Sequence, residues 1–356
     1  MKYSFKIGSI WGIPIELHIT FILLMLAVFI LTYPELYFFA LMLFLFVFVV
    51  VHELSHSIVA RHFKIKVRKI VLYPIGGVSE IEEIPDKPSI EWRMAIAGPL
   101  TSFIIGGVLF AVYLLGFPGT PITLLSTTTP TTIGTFIANL ATLNLLLGAF
   151  NMIPAFPMDG GRVFRALLAE RMKFSDATKY AAFIGRSLGI VMAVFGIFYD
   201  FWLIIIGVFI YIGASEETES TIVSTTLARV RVKDVMYPEV ASVKPETTLK
   251  DALEVMFKAR YHDALIEKDG DLQGIVTWNE IMKIKPEQRD QMQVEKLPMK
   301  DISVSKDESI LEAYKIMSRE KIDLVPVFDK EAPRKIVGVV TSEGVAYAYE
   351  KAKTLR

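Results

Sequence analysis

The sequence contains no cysteine. This absence excludes disulfide bonds, thiolate metal sites and cysteine nucleophiles. Any metal site must therefore be built from histidine and carboxylate side chains. Histidine is itself scarce, with only five in 356 residues, so few arrangements of ligands need to be considered.

The sequence also lacks an excess of either charge, because 38 lysines and arginines are matched by 38 aspartates and glutamates. A chain without net positive charge has no general attraction for phosphates, so we expect no nucleic-acid partner. The first residues do not resemble a signal peptide, since Met1 to Lys6 do not lead into a short apolar region with a small-residue cleavage site. We therefore expect the N-terminus to be retained.

Apolar residues are abundant: 53% of the chain is hydrophobic and the mean hydropathy is +0.45. These values indicate a protein with several membrane spans. Six apolar stretches are visible. They are residues 17–31, a stretch that begins at 36 and ends in a histidine motif at 52–56, and residues 92–117, 133–152, 180–198 and 201–214. His18 lies at the start of the first stretch, where we expect it to cap a helix or face water rather than bind a metal.

Lysine and arginine are absent from the connections at residues 33–35, 116–132 and 199–200. The other connections are rich in both, from Lys64 to Lys69 and from Arg162 to Lys173. Basic loops remain in the cytoplasm by the positive-inside rule. We therefore predict a six-span protein of the cell membrane, embedded in the lipid bilayer, with both termini in the cytoplasm.

Between the second and third spans the pattern changes to two short β-like runs, residues 67–73 and 78–82. A Pro-Ile-Gly-Gly turn signal separates them. We predict a small β-sheet that lies against the membrane surface. The segment has two interpretations: a plain connector, or an open strand edge that pairs with an unwound substrate segment.

The second span ends in His52-Glu53-Leu54-Ser55-His56. Residues four apart lie on one face of a helix, so the two imidazoles are one turn apart with Glu53 beside them. In zinc peptidases the histidines of such an H-E-x-x-H pattern bind the metal and the glutamate deprotonates a water. The pattern also occurs by chance on helices of soluble proteins. Ionisable side chains in a membrane helix cost on the order of 2.5–3.5 kcal/mol each, which favours the metal site here.

Two histidines and a water leave a tetrahedral zinc one ligand short. Asp159 is the best candidate, because it follows a span that Pro154 and Pro157 should end at the depth of the histidines. Asp-Gly-Gly is, however, also an ordinary turn sequence. Asn151, at the end of the same span, likewise has two interpretations, as a helix cap or as a contact to the substrate.

From about residue 228 the chain is polar and contains a repeat. Residues 242–256 parallel 303–317, and Gly-Ile-Val-Thr at 274–277 parallels Gly-Val-Val-Thr at 338–341. Each copy is predicted to form strand, helix, strand, strand and helix, and the two copies should pack together. We divide the chain into a membrane domain at 1–218, a linker at 219–228 and repeats at 229–288 and 289–356.

The motifs H-E-L-S-H, A-G-P at 97–99 and N-M-I-P-A-F-P-M-D-G-G at 151–161 occur in the order typical of the site-2 protease family of intramembrane zinc metalloproteases, which residues 7–214 resemble. The whole chain resembles the archaeal and bacterial subgroup with six spans and a C-terminal pair of cystathionine-β-synthase (CBS) domains. The resemblance implies one zinc ion held by His52, His56 and Asp159. It also implies Glu53 as general base and Asn151 as a hydrogen-bond donor to the scissile peptide.

The resemblance further implies the activity, hydrolysis of peptide bonds within or near the transmembrane helices of membrane-anchored substrates. CBS pairs often bind adenine nucleotides through a threonine at the phosphate and an acidic residue three positions later at the ribose. Thr277 and Glu280 match this pattern, whereas Thr341 is followed by Gly344, which has no carboxylate. The pair is therefore expected either to bind ATP, ADP or AMP or to form a homodimer.

The predicted fold class is a polytopic α-helical membrane protein with a small membrane-associated β-sheet, followed by a C-terminal α+β tandem CBS domain pair. Two other functions stay open. A channel or transporter gated by the CBS pair would need paired charges along several spans. A catalytically silent membrane scaffold would not need both Glu53 and a full set of metal ligands.

Overall fold

The computed structural model describes residues 3–81, 87–118, 132–238 and 240–354. The chain divides into two compact units, Met1–Glu219 and Ser220–Arg356. The expected end of the membrane domain at residue 218 lies next to this division. Most of the uncharged loop predicted at 116–132 lies outside the described residues.

The first unit is mainly helical. Its helices are α1 (Ile19–Thr32), α2 (Tyr37–His62), α3 (Pro88–Gly116), α4 (Ile133–Asn151), α5 (Asp159–Ala169), α6 (Phe174–Tyr199) and α7 (Phe201–Leu227), the last of which continues past the division. Among the described residues, α2, α3, α4, α6 and α7 are long and apolar enough to cross a membrane. The predicted polytopic helical membrane domain is therefore confirmed.

The first and last predicted spans differ in length from the structure. The first is predicted from residue 17, but α1 begins at Ile19 and has only 14 residues. At 1.5 Å per residue it is about 21 Å long, less than the roughly 30 Å of a hydrocarbon core. The preceding residues form a strand instead. The last span is longer than predicted, because α7 continues to Leu227 and most of the linker expected at 219–228 is helical.

A four-stranded sheet in the order β1 (Ser4–Ile10), β2 (Ile13–His18), β3 (Val67–Tyr73) and β4 (Gly76–Ile81) accompanies these helices. The hairpin β3–β4 is the predicted one, whereas the sequence did not indicate β1 and β2. Trp11 and Gly12 both have positive φ, 48° and 79°, and form the two-residue turn between β1 and β2. Strand β2 pairs in parallel with β3, which leaves β4 as an edge strand.

His18 lies where β2 ends and α1 begins. It is the N-cap residue of α1, and its Nδ1 atom accepts a hydrogen bond from the backbone N–H of Thr20. Its ring also lies beside that of Tyr73, with 4.9 Å between the centroids. The capping role predicted for this histidine is therefore confirmed.

The sheet packs on the part of α2 that carries the H-E-x-x-H motif. Fully buried Ile70 contacts Leu54 of the motif. Leu72 packs against Val49 and Phe46, about one and two turns before Leu54 on the same helix. Removing these apolar side chains from water fixes β3, and with it β4, against the helix face next to Glu53.

The second unit contains the two predicted repeats. The first consists of β5 (Ser242–Val243), α8 (Leu249–Ala259), β6 (Asp263–Lys268), β7 (Asp271–Thr277) and α9 (Trp278–Met282). The second consists of β8 (Val304–Ser305), α10 (Ile310–Glu320), β9 (Leu324–Asp329), β10 (Ala332–Thr341) and α11 (Ser342–Thr354). The strands form one sheet in the order β5-β6-β7-β10-β9-β8, so the copies join between β7 and β10. The predicted strand and helix order is confirmed.

Candidate metalloprotease site

The structure brings His52, His56 and Asp159 together. Both histidines lie on α2 and are buried, and Asp159 is the first residue of α5. Asp159 Oδ2 is 3.2 Å from His52 Nε2 and 3.1 Å from His56 Nε2. Within the described part of the chain, these side chains form the one histidine and carboxylate cluster with the spacing of a metal site.

The remaining ring nitrogens are held by α3. His56 Nδ1 donates to the carbonyl oxygen of Met94 at 2.6 Å, and His52 Nδ1 is 2.9 Å from the hydroxyl of Ser102. A carbonyl oxygen only accepts, so Nδ1 of His56 must carry the proton. In the neutral ring the Nε2 atom then presents a lone pair towards Asp159, as a metal ligand does.

The three side chains fit a zinc ion. Two atoms bound to one zinc at about 2.0–2.1 Å in a tetrahedral arrangement lie about 3.3 Å apart, which agrees with the observed 3.1 and 3.2 Å. Burial raises the pKa of Asp159, but the two neighbouring imidazoles hold this pKa well below its usual range. The imidazoles have this effect only when protonated. When their Nε2 atoms carry no proton, the nitrogen lone pairs and the carboxylate oxygen repel each other at this distance, and a bound cation removes that repulsion.

Gly98 of α3 lies directly beside the histidines. A Cβ atom at this position would be 2.2 Å from His56 Nε2 and 2.5 Å from His52 Nε2. No side chain fits there, so the glycine leaves space for the metal and its ligands. The A-G-P motif contained this signal, but the sequence alone indicated only close packing of another helix.

Two glycines place Asp159. A Cβ atom at Gly160 would lie 2.4 Å from the carbonyl oxygens of Met152 and Ile153, and one at Gly161 would lie 2.6 Å from the backbone of Ala155. The start of α5 therefore packs directly on the segment that follows α4. This contact explains why two glycines follow the aspartate and how α5 reaches the histidines on α2.

Glu53 is held by the edge strand β4. The hydroxyl of Ser79 donates to Glu53 Oε2 at 2.8 Å. A Cβ atom at Gly77 would lie 2.5 Å from Glu53 Cγ, so the bare backbone of β4 covers the side chain. Neither Ser79 nor Gly77 was singled out from the sequence, because strand and helix meet only in the folded unit.

A cavity of about 520 Å³ opens beside the cluster. Glu53, Asn151 and Asp159 contribute polar groups to it, and most of the remaining wall is apolar, including Met42, Leu45, Phe46, Val49, Leu147, Phe150 and Phe209. Asn151 is the last residue of α4, and its Nδ2 atom donates to the carbonyl oxygen of Leu147 at 3.0 Å. An amide NH₂ group has two protons, so one N–H of Asn151 is still available to a substrate.

A buried ion cluster ties α5 to α3 and α7. The Arg165 guanidinium bonds Glu91 through two nitrogens and Glu217 Oε1 through Nη1 at 2.6 Å. The rings of Phe156 and Phe174 lie 4.9 and 4.7 Å from its central carbon. Arg165 and Glu91 are only 5% and 2% exposed. Because Arg165 and Asp159 share α5, the cluster supports the helix that carries the third candidate ligand.

The residues expected at the nucleotide site lie in two parts of the second unit. Thr277 is the N-cap of α9, and its hydroxyl accepts a hydrogen bond from the Glu280 backbone N–H at 3.4 Å. The Glu280 carboxylate pairs with Lys283 at 2.5 Å. Thr341 caps in the same way, accepting from the Gly344 N–H at 3.1 Å. Helix capping by itself therefore accounts for the threonine at both positions, whereas the Glu280 side chain takes no part in the cap.

Thr341, unlike Thr277, lines a cavity of about 550 Å³. Arg260, His262 and Tyr237 line the same cavity. A Cβ atom at Gly344 would lie 3.3 Å from the Tyr237 ring, so this ring lies close to the place where other CBS repeats are expected to have a carboxylate. The cavity offers a cation, an aromatic ring and a hydroxyl, together with the carboxylates of Asp323 and Glu343.

Comparison with known proteins adds a family assignment. The sequence matches the profile of Peptidase family M50 over residues 39–195 and that of the CBS domain over residues 232–287 and 294–351. It is 38% identical over 327 residues to zinc metalloprotease MJ0392 of Methanocaldococcus jannaschii, which covers 89% of each chain. The solved site-2 protease from M. jannaschii is 43% identical, with a TM-score of 0.45, and the match covers 61% of this chain and 95% of that one.

Proposed function

Because the chain belongs to peptidase family M50 and ends in a pair of CBS domains, we propose that it cleaves peptide bonds within or near the transmembrane helices of membrane-anchored proteins. The protein is a zinc metalloendopeptidase of the site-2 protease family. One observation carries the intramembrane location: the histidine pair is buried on α2, itself a helix long and apolar enough to span a bilayer.

In this proposal His52, His56 and Asp159 hold the zinc, which when bound acts as a Lewis acid on a water and on the scissile carbonyl. Glu53 takes the proton of the attacking water and passes it to the leaving amine. Asn151 donates its free N–H to the carbonyl oxygen of the scissile peptide. The apolar wall of the cavity excludes bulk water, which strengthens each of these electrostatic contacts.

A transmembrane substrate must lose helical structure before it can be cut, since its carbonyls are otherwise hydrogen-bonded within the helix. The edge strand β4 supports a route for this step. Among the described residues no further strand pairs with its outer edge, which could therefore pair with an extended segment, and its residues 76–79 line the same cavity as Glu53 and Asp159. Strand pairing would replace the hydrogen bonds that the substrate helix loses.

We also propose that the protein resides in the cell membrane with both termini in the cytoplasm. The support is the distribution of lysine and arginine, which are absent from one set of loops and frequent in the other. The cavity that contains Glu53 and Asp159 would then open towards the cytoplasm.

Replacing Glu53 with glutamine should abolish cleavage while the protein keeps its zinc. Glutamine has nearly the same shape but cannot take a proton, and general base catalysis contributes roughly 10²–10⁴-fold. The measurement is cleavage of a single-span reporter protein by the detergent-solubilised full chain, with zinc quantified in parallel. Removal of zinc by a chelator should have the same effect on the wild-type chain.

The matched control is Glu170→Gln, which alters an exposed carboxylate just after α5 and should cleave normally. Normal cleavage by Glu53→Gln would contradict the mechanism. This comparison also separates the protease from the alternative of a CBS-gated channel, since ion transport has no need for a general base at Glu53.

We further propose that the CBS pair binds an adenine nucleotide in the cavity at Thr341. Arg260 supplies positive charge for phosphate, Tyr237 a ring for stacking, and Thr341 a hydroxyl. We expect AMP, ADP or ATP to bind the full chain in calorimetric titrations, and Arg260→Ala to weaken binding by about tenfold or more, the effect of losing a charge-assisted contact of about 1.5–3 kcal/mol.

The CBS pair is also a candidate dimerisation module. Light scattering on the same samples, with and without nucleotide, therefore measures the oligomeric state. Lys258→Ala is the control, since this exposed lysine lies on α8 and outside the cavity. Equal affinity in wild type and Arg260→Ala would contradict the nucleotide site. A dimer that forms without any nucleotide binding would assign the pair to association instead.

A further inference from the structure

Ser79 lies on the edge strand β4 with its hydroxyl against Glu53. Its Oγ atom is 2.8 Å from Glu53 Oε2, 3.3 Å from the backbone oxygen of Glu53 and 3.2 Å from Ser57 Oγ. A serine hydroxyl has a single proton, so it can donate to only one of these three atoms at a time.

Ser57 indicates where that proton goes. Its own hydroxyl is 2.9 Å from the Glu53 backbone oxygen, one turn earlier on α2, and donates to it. This bond supplies the backbone oxygen with a donor, so the Ser79 proton is free for the carboxylate. A hydrogen bond to an ionised acceptor is roughly twice as strong as one between neutral groups. The 2.8 Å contact from Ser79 to Glu53 Oε2 is therefore the bond that forms.

The backbone of β4 restricts the same side chain from a second direction. A Cβ atom at Gly77 would be 2.5 Å from Glu53 Cγ and 3.2 Å from Val49 Cγ1. Gly77 thus packs on the methylene groups of Glu53 while Ser79 holds one carboxylate oxygen. Among the residues that the structure describes, Ser79 is the one hydrogen-bond donor to this carboxylate, and it uses Oε2. The other oxygen, Oε1, is therefore left for the proton transfer.

We propose that Ser79 is a positioning residue, which holds Glu53 in the orientation that the proton transfer requires. This inference rests on the proposed function, in which Glu53 is the general base. Because β4 is the edge strand, a substrate segment paired with it would lie beside the strand that orients the base. Loss of the hydroxyl should therefore slow the chemical step rather than weaken substrate binding.

The test compares Ser79→Ala and Ser79→Thr with the wild-type full chain, solubilised in detergent with zinc. The probe is a single-span reporter protein with a helix-breaking glycine pair in its membrane helix. We expect Ser79→Ala to lower kcat by about tenfold or more, the size of effect typical of residues that orient a metal site, with KM changed by less than about twofold. Ser79→Thr keeps the hydroxyl at a half-buried position and should restore kcat.

Ser55→Ala is the matched control. The Ser55 hydroxyl donates to the carbonyl oxygen of Val51, one turn earlier on the same helix. In the described part of the chain it makes no hydrogen bond to the Glu53 side chain, so kcat should be unchanged. A rise in KM at constant kcat would assign Ser79 to substrate binding and overturn the inference. Loss of zinc from Ser79→Ala, or no recovery in Ser79→Thr, would assign a structural role and overturn it as well. Undiminished cleavage by Glu53→Gln would instead overturn the proposed function.

Discussion

Replacing Gly98 with alanine is expected to abolish zinc binding and proteolysis together. The added methyl group would be 2.2 Å from His56 Nε2 and 2.5 Å from His52 Nε2. Both distances are shorter than non-bonded atoms can approach. The imidazoles are also tied to α3 through Met94 and Ser102, so they cannot move aside without losing those hydrogen bonds. We expect activity to fall by at least about 100-fold, the upper end of what changes around a metal site typically cost.

Zinc content and cleavage of a single-span reporter are measured on the same purified sample. Gly107→Ala is the matched control, because Gly107 is on the same helix and a Cβ atom there would meet nothing within 4 Å. That variant should bind zinc and cleave like the wild type. Stoichiometric zinc in Gly98→Ala would show that the ligands lie elsewhere, and would refute the assignment of His52 and His56.

Of the substitutions proposed for this protein, Arg165→Met should lower the free energy of unfolding the most. Methionine fills a similar volume but removes the cation that hydrogen-bonds the buried Glu91 carboxylate. Breaking a buried ion pair in this way costs about 3–5 kcal/mol. At roughly 2–4 °C per kcal/mol for a unit of this size, thermal unfolding in detergent should shift down by roughly 6–20 °C.

A second substitution distinguishes the charge effect from a packing effect. In the Arg165→Met background, Glu91→Gln removes the uncompensated charge and should recover part of the lost melting temperature. Arg171→Met, at an exposed arginine just beyond α5, should leave it unchanged. If Arg165→Met melted like the wild type, or if Glu91→Gln lowered the melting point further, the cluster would not be what anchors α5.

Glu91 also shows why this cluster matters for the site. Its Oε2 atom is buried without a hydrogen-bond partner among the described side chains, and the residue lines the cavity next to the metal ligands. Within the described ranges of the chain, the Arg165 guanidinium is the cation that hydrogen-bonds this carboxylate, and Arg162 adds a weaker favourable charge. Arg165 therefore connects the wall of the cavity with the helix that supplies Asp159, six residues earlier.

The sequence by itself determined most features that depend on neighbours along the chain. Helical geometry places residues four apart on one face, so the pairing of His52 with His56 followed directly from the motif. Long apolar stretches located the spans, and the repeat located the strands and helices of the CBS pair. Local patterns failed where a strand runs directly into a helix, which is why the first span is predicted to begin at residue 17, although β2 continues to His18.

Only the tertiary structure decided which residues that are distant in the sequence come into contact. Asp159 is 103 residues from His56, and its oxygen reaches the imidazole because glycines let α5 pack on the segment after α4. The roles of Gly98 and Ser79, and the pairing of Arg165 with Glu91, likewise depend on which helices and strands are neighbours. Backbone geometry sets distances within one element, but packing of side chains sets distances between elements, and no local pattern contains that information.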